Sequence, residues 1–334
     1  MCLMLEKLIY HLLRNQLIIA LLVVVVGWFM YEIRGILVAI FVAYILMAAH
    51  LPLVTFLRKY RVPKIFAILV PYLASVTLLV LIIIPLVPFF VSQIQALFFN
   101  FASYLDATAK LVGITIDPNQ VENLMISEVN NLGKNAFSLT SRAFGGLFSI
   151  VTIMVVSFYL LIDNERIKHV IAKLVPAKSH KRAMETYTQI EAKLGAWLRG
   201  QLVLSFSIGA LTWVVLTILG IDFAFPLAVI AGILEVVPTI GPIISAIPAV
   251  VVALAVSPTM ALIVVAAYIL IQFLENNILV PKIMEKAVGL NPIVVIIGVM
   301  IGAKIMGVVG ALLSVPFIAM AVIIFKAIKN SSEA

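Results

Sequence analysis

Charge is what this chain has least of. Only 11% of its residues are Asp, Glu, Lys or Arg, against 64% hydrophobic, and the mean hydropathy is +1.21. Soluble domains carry about 25% charged residues, so composition excludes that class. Cysteine is nearly missing: Cys2 stands alone, which excludes an intramolecular disulfide and a cysteine metal cluster. The four histidines, His11, His50, His169 and His180, fall at no ligand spacing. No P-loop, Gly-x-Ser-x-Gly elbow or His-Glu-x-x-His helix occurs, so neither ATP-driven pumping nor a familiar hydrolytic mechanism is expected. The chain reads as a non-enzyme without cofactor or metal.

What it has instead is long uncharged runs. Residues 35–57, 65–105, 143–162, 200–221, 236–274 and 305–325 carry no Asp, Glu, Lys or Arg. Each meets or exceeds the ~20 residues of a spanning helix. Leu17–Tyr31 is a shorter apolar run that Gln16 extends. The basic N-terminus followed by an apolar stretch looks like a secretory signal, but no small-x-small cleavage site follows, so the segment is expected to be retained. The expected fold is all-α, a polytopic membrane protein of about eight membrane segments.

The net charge of +8 points to orientation rather than to nucleic acid, because Lys and Arg collect on cytoplasmic loops. Lys7 and Arg14 place the N-terminus inside, and Arg58, Lys59, Arg61 and Lys64 mark the next inner loop. Residues 1–91 then hold three membrane segments, the third punctuated by Pro71, Pro85 and Pro88. Residues 92–145 form an external polar insertion, in which Asp117-Pro118-Asn119-Gln120 reads as a helix start. Residues 146–222 return through the membrane around a basic cytoplasmic loop, 163–199, with eight Lys/Arg against four Asp/Glu. Ala183, Tyr187, Ile190, Leu194 and Trp197 follow a helical spacing, so 179–199 is expected to be an amphipathic helix running into 200–221.

The last third, 223–334, reads as the transport core. Residues 223–256 and 289–325 each hold two short apolar arms around a Gly/Pro centre, and Asp222 and Asp163 mark membrane boundaries. Glu235 precedes Gly241 by six residues and Lys304 precedes Gly310 by six, with Pro248 and Pro316 beyond. This resembles a degenerate internal repeat of two interrupted, re-entrant hairpins around a single span, 259–280. That arrangement places Lys282, Lys286, Lys326 and Lys329 inside, although two full spans per segment satisfy the same parity. Paired interrupted segments are a sequence pointer to a solute path.

An ionisable side chain at membrane depth costs about 2.5–3.5 kcal/mol and marks function. Glu235 has no cation in sequence reach, and burial disfavours its charged form, which makes it a candidate proton or cation carrier. The bland alternative is a carboxylate capping the free N–H groups of the break at Pro238, Gly241 and Pro242. Gln272, Glu275 and Asn276 share a helical face at the end of the 259–280 span, before Pro281 ends it, and suit a solute's hydration shell. Lys304 either pairs with Glu235 or Glu275 or snorkels to the interface. Gly298, Gly302, Gly307 and Gly310 let backbones approach.

Six ordered motifs carry a resemblance over essentially the whole chain. They are Phe158-Tyr159-Leu160-Leu161-Ile162-Asp163, Gly195-Ala196-Trp197-Leu198-Arg199-Gly200-Gln201, and Glu235 through Pro242. The others are Gln272-Phe273-Leu274-Glu275-Asn276-Asn277 through Pro281-Lys282-Ile283-Met284, Gly289-Leu290-Asn291-Pro292, and Gly307 through Pro316. Together they resemble the autoinducer-2 exporter family of permeases. That resemblance implies a multi-pass protein of the bacterial inner membrane with both termini cytoplasmic. It also implies a homo-oligomer such as a pentamer, and either autoinducer-2 export or sodium(lithium)/proton antiport. Lys304 departs from the pattern, which has a small or apolar residue there.

The function expected is secondary transport of a small polar solute or monovalent cation, with the proton as coupling ion and lipid as the surroundings. Two rivals are cation/proton antiport and a non-transporting membrane scaffold binding partners through 92–145.

Overall fold

The computed structural model describes residues 16–78, 81, 136–237, 240–284, 289 and 291–332, and every regular element among them is helical. Most of the insertion at 92–145, with the helix start at Asp117, lies outside the described residues, as do Pro238, Leu290 and Lys286. The helices are α1 (Gln16–Glu32), α2 (Arg34–Lys59), α3 (Lys64–Leu78), α4 (Ala136–Ile162), α5 (Asn164–Lys173) and α6 (His180–Ile218). They continue as α7 (Ala224–Leu234), α8 (Ile240–Val256), α9 (Pro258–Met284) and α10 (Pro292–Ser332). Four of them, α2, α6, α9 and most of α10, are long and apolar enough to cross a membrane. Their exposed Leu, Ile, Val and Phe side chains belong in lipid rather than water. This is a multi-pass membrane protein.

Helix α6 is the spine. Its first half buries Tyr187, Ile190, Leu194 and Trp197, the stripe expected from their spacing. It then enters the apolar layer without interruption, because Gly200 is accommodated as a close-packing point. A Cβ there would meet the Met284 sulfur at 2.9 Å. One turn earlier Gly195 lies so close to α2 that a Cβ would overlap the Ala48 carbonyl. The reason is on α2 itself. Pro52 sits inside that helix and has no N–H, which leaves the carbonyl four residues back without its helical partner. Arg199 supplies donors instead, its Nη1 lying 3.4 Å from the Ala48 oxygen and 3.0 Å from that of Ala49.

Two polar clusters fix the N-terminal helices around this spine. His50 on α2 donates from Nδ1 to the Leu46 carbonyl at 2.8 Å, so Nε2 faces the Ser75 hydroxyl of α3 at 2.9 Å as acceptor. The imidazole stacks on Tyr72 at 4.4 Å, and the Tyr72 hydroxyl bonds Ser157 of α4. On the basic side, Glu191 of α6 is 1% exposed and pairs with Lys168 of α5 at 3.0 Å. Tyr187 donates to Asn164 at 3.2 Å beside it.

Both Gly/Pro-centred segments fold back on themselves. Helices α7 and α8 meet where a Cβ on Gly241 would overlap the Leu234 carbonyl. In α10 the chain reverses at Met306 and Gly307, and Gly307 has φ 62° and ψ −143°, a region open in practice only to glycine. Beyond that turn Gly302 and Gly310 face each other backbone to backbone. The arm Ala224–Leu234 has 11 residues, about 16 Å of helix.

Proline 281 does not end α9, contrary to expectation. The helix widens into a π-turn over Glu275–Leu279, with the Val280 N–H reaching the Glu275 carbonyl, and runs on to Met284. Shifting register by one residue absorbs the missing N–H of Pro281. Asn277 completes the repair by donating from Nδ2 to the Phe273 carbonyl at 2.8 Å.

The α2–α6 seam gives a first prediction. Gly195→Ala should destabilise the purified protein by about 1–3 kcal/mol through overpacking against Ala48. Gly35→Ala, with nothing within 4 Å of the added methyl, should be neutral or stabilising by up to about 1 kcal/mol. Thermal unfolding of both variants in detergent measures the difference.

Candidate functional site

Glu235 sits at the end of α7, where its N–H still bonds the Ala231 carbonyl at 2.9 Å and the chain then leaves helical geometry. Its own carbonyl would be stranded there. Gln201 of α6 reaches across and donates from Nε2 to that oxygen at 3.0 Å. Gln201 is buried, so its amide is a fixed clamp rather than a solvated group. The packing beneath is equally close: a Cβ on Gly232 would lie 2.9 Å from the Ser205 carbonyl, and Gly209 faces Gly232 from α6.

The clamp aims Glu235 at the π-turn of α9. Its carboxyl faces the Glu275 carboxyl, and the Gln272 side chain lies beside Glu275. Glu235 is 1% exposed and Glu275 4%. The Oε2 atom of each is buried and finds no N–H or O–H donor among the described residues. Neither has a Lys or Arg partner there. Two carboxylates in contact repel by about 4 kcal/mol at ~4 Å and an effective dielectric of ~20. A carboxyl–carboxyl hydrogen bond requires that one of them carry a proton. Two facing carboxyls with no Lys or Arg partner among the described residues are an arrangement that can share one proton between two helices.

Among the expected site residues the structure brings together Glu235, Glu275 and Gln272. Asn276 is exposed, since as the neighbour of buried Glu275 it lies on a different face of the helix. Lys304 is also exposed, two residues before the break in α10, and makes no ion pair among the described residues. Of the two alternatives read for Lys304, pairing with Glu235 or Glu275 is not seen among the described residues, and its exposure is compatible with the interfacial one. Gly241, Gly302, Gly307 and Gly310 lie at the reversals of the two hairpins, Pro242 accepts from Ser245 at 2.9 Å, and Pro316 is buried in the second arm of α10. Both hairpins converge on this region: Val237, Val299, Ala311 and Leu313 pack in one cluster with Ile271 and Met284 of α9 and Leu194 and Trp197 of α6.

Gln201 is the member that sequence reasoning did not identify. It ends the Gly195–Gln201 motif, but only the three-dimensional contact reveals that the amide serves a carbonyl 34 residues away.

Comparison with known proteins gives the same direction. The family model described as AI-2E family transporter matches residues 9–330. YueF of Bacillus subtilis strain 168, which carries a transport-protein name, is 26% identical over 283 residues, covering 79% of this chain and 76% of YueF. The AI-2 transport protein TqsA of Escherichia coli K12 is 25% identical over 292 residues, covering 83% of this chain and 80% of TqsA. YrrI of B. subtilis, also named for transport, is 32% identical over 165 residues, covering 49% and 47%.

The carboxyl pair makes a prediction about stability that is independent of any solute. Glu235→Gln and Glu275→Gln should each raise the unfolding temperature, since an amide donates to the remaining carboxylate and removes a charge, a gain of about 1–3 kcal/mol. The double variant should gain no more than the better single one. Additive effects in that double-mutant cycle would show that the two side chains do not interact.

Proposed function

This chain belongs to the AI-2E transporter family, and we propose that it is a secondary transporter that exports a small polar solute of the autoinducer-2 kind, coupled to a proton. The observation that carries the reading is that buried Glu235 and Glu275 face each other with no Lys or Arg partner among the described residues. A fixed structural carboxylate needs a donor for each oxygen. A carrier needs an oxygen that the protein leaves open.

The proposed cycle uses three parts. The Glu235–Glu275 pair takes up the coupling proton, and Gln272 orients Glu275. The hairpins α7–α8 and α10 act as re-entrant gates on either side of α9, turning at Gly241 and Gly307. Alternating access follows when the pair's charge state changes the balance between the packings of α7 and α9. Lys326 and Lys329 at the end of α10 support cytoplasmic termini in an inner membrane. The apolar faces left exposed on α2 and α10 support contact with lipid and with further copies of the chain.

The test is efflux from liposomes. Vesicles containing the purified protein and loaded with autoinducer-2 should release it faster when a proton gradient is imposed. Glu235→Gln should reduce that gradient-driven release at least tenfold with expression and oligomeric state unchanged. Wild-type rates in that variant would remove the pair from the mechanism. Replacing the solute by a sodium or lithium gradient, with a trapped pH dye as readout, distinguishes the antiport reading: cation-dependent proton movement supports it, and a flat trace with intact autoinducer-2 release rejects it.

A further inference from the structure

Helix α5 divides into three faces. Asn164 and Lys168 turn to α6, where they meet Tyr187 and Glu191. Glu165, His169 and Lys173 form an exposed polar face. The third face is apolar: Ile167, Val170, Ile171 and Leu174 recur at i, i+3, i+4 and i+7, with Val170 52% and Leu174 80% exposed. Arg166 lies four residues before Val170 and Lys173 three after it, so both cations border the stripe. A short helix of this kind belongs at the boundary of headgroups and acyl chains, its apolar stripe sunk and its cations outward. The chain before it agrees. Residues 143–162 carry no charge and Asp163 begins the charged stretch, while Tyr159, 62% exposed, is placed as an interfacial tyrosine. Lys64 at the start of α3 donates from Nζ to the Ile162 carbonyl at 2.6 Å, so the elbow of α4 and α5 adjoins a basic loop.

Inside that elbow lies an open groove of about 460 Å³. Val156, Tyr159 and Leu160 of α4 form one wall and the α5 stripe the other, and Asp163 and Arg166 supply its charged groups. Asp163 stands at the N-cap of α5, where an aspartate ordinarily accepts from the N–H groups of the first turn. Its side chain makes no such bond. Nor does it form an ion pair with Arg166 or Lys64 among the described residues. One anion and one cation are therefore presented to the groove and not to each other. An apolar channel carrying one charge of each sign is complementary to a zwitterionic amphiphile, whereas a purely anionic ligand would meet Asp163 as repulsion.

We propose that the α4–α5 groove binds a phospholipid with a primary ammonium headgroup, of the phosphatidylethanolamine class. Arg166 takes the phosphate, Asp163 takes the ammonium, and an acyl chain lies along Leu160 and Val156. The planar guanidinium of Arg166 matches phosphate oxygens with two parallel donors. An ammonium with three N–H donors serves the Asp163 carboxylate. A choline headgroup has no N–H to give it, and a glycerol headgroup has no positive charge. Lys64 and Lys173 add to the positive field that favours the phosphate. The site lies on helices separate from the Glu235–Glu275 pair and does not depend on the transport reading.

Native mass spectrometry reads the preference directly. The purified protein is stripped of lipid in detergent and titrated with phosphatidylethanolamine, phosphatidylcholine or phosphatidylglycerol of identical acyl chains. The first equivalent of phosphatidylethanolamine should bind about tenfold more tightly than either of the others, the equivalent of one charge-assisted hydrogen bond. Asp163→Ala should erase the preference over phosphatidylcholine without weakening phosphatidylglycerol. Arg166→Gln should weaken all three lipids about tenfold. Val156→Trp fills the groove and should remove the first equivalent. Val155→Trp is the matched control, since its native side chain is 47% exposed and takes no part in the groove.

Equal affinity of the wild type for the three lipids, or unchanged phosphatidylethanolamine binding in Val156→Trp, would overturn the proposal. So would a Val156→Trp variant that keeps the lipid and changes oligomeric state, because the groove would then be an interface between copies of the chain. Thermal unfolding gives a second readout, since a ligand that binds only the folded state stabilises it. Phosphatidylethanolamine should raise the unfolding temperature of the wild type and of Val155→Trp more than phosphatidylcholine does, and should lose that advantage in Asp163→Ala. Asp163 is exposed, so its variant folds and decides the matter even where Val156→Trp does not. Neither measurement needs a solute or a gradient, so both outcomes leave the coupling reading as it stands.

Discussion

A backbone carbonyl that loses its N–H partner inside an apolar layer has no water to turn to, and the rest of this structure depends on how that debt is met. Besides the reversal of α10 at Gly307, the helices break or shift at three places discussed above, Pro52, Glu235 and Pro281. At two of the three, the replacement donor comes from α6. Arg199 serves Ala48 and Ala49 beside the Pro52 break, and Gln201 serves Glu235 at the end of α7. Glycines at 195, 200 and 209 let the backbone of α6 come close enough for those side chains to reach. The third break is repaired within α9, by the π-turn and Asn277. The Gly195-Ala196-Trp197-Leu198-Arg199-Gly200-Gln201 motif is thus a single device: small residues for approach, Leu194 and Trp197 for burial, and two long side chains for stranded carbonyls.

That device explains why two acidic residues can sit in contact at all. Left alone, a buried Glu at the end of a short helix would turn toward free N–H groups or toward the interface. Gln201 removes this freedom by fixing the carbonyl of Glu235, and tight Gly232–Gly209 packing fixes the helix that carries it. On the opposite wall the π-turn sets the direction of Glu275, while Asn276, its neighbour, faces outward. The repulsion between the carboxyls is held against these constraints, as expected of strain kept at a working site and compensated by the surroundings.

Much of this was legible in the sequence, and what was missed has a common cause. Uncharged runs located α2, α6 and α9, and the spacing of Tyr187, Ile190, Leu194 and Trp197 identified the buried face of α6, because burial periodicity is a local property. The reversals at Gly241 and Gly307 were also local, signalled by glycine and proline. Glu235, Glu275 and Gln272 were each visible as polar residues in apolar surroundings. Their meeting was not, since a carboxylate is expected to seek a cation and Lys304 was the one available. Pro281 misled for a related reason: the rule that proline ends a helix omits the π-turn, which depends on register rather than composition. The job of Arg199 depends on Pro52, 147 residues earlier, and no spacing rule spans that distance.

The location of the two carboxyls on different elements has a consequence for how binding becomes motion. Glu235 belongs to a hairpin clamped to α6, whereas Glu275 belongs to α9, which meets α6 further along, where Gly200 packs on Ile283 and Met284. With a proton between them the carboxyls form a hydrogen bond that draws α9 toward α7. Without it they repel, and the contact between α7 and α9 is the one that this repulsion loosens. A ligand shifts an equilibrium only by its differential affinity for the two states. In the proposed cycle the difference is built from one proton and two helices. The same linkage works in reverse, because whatever holds α9 against α7 also holds the proton in place. On the proposed reading, charge state and access are two descriptions of one equilibrium, which is the minimum that coupled transport requires.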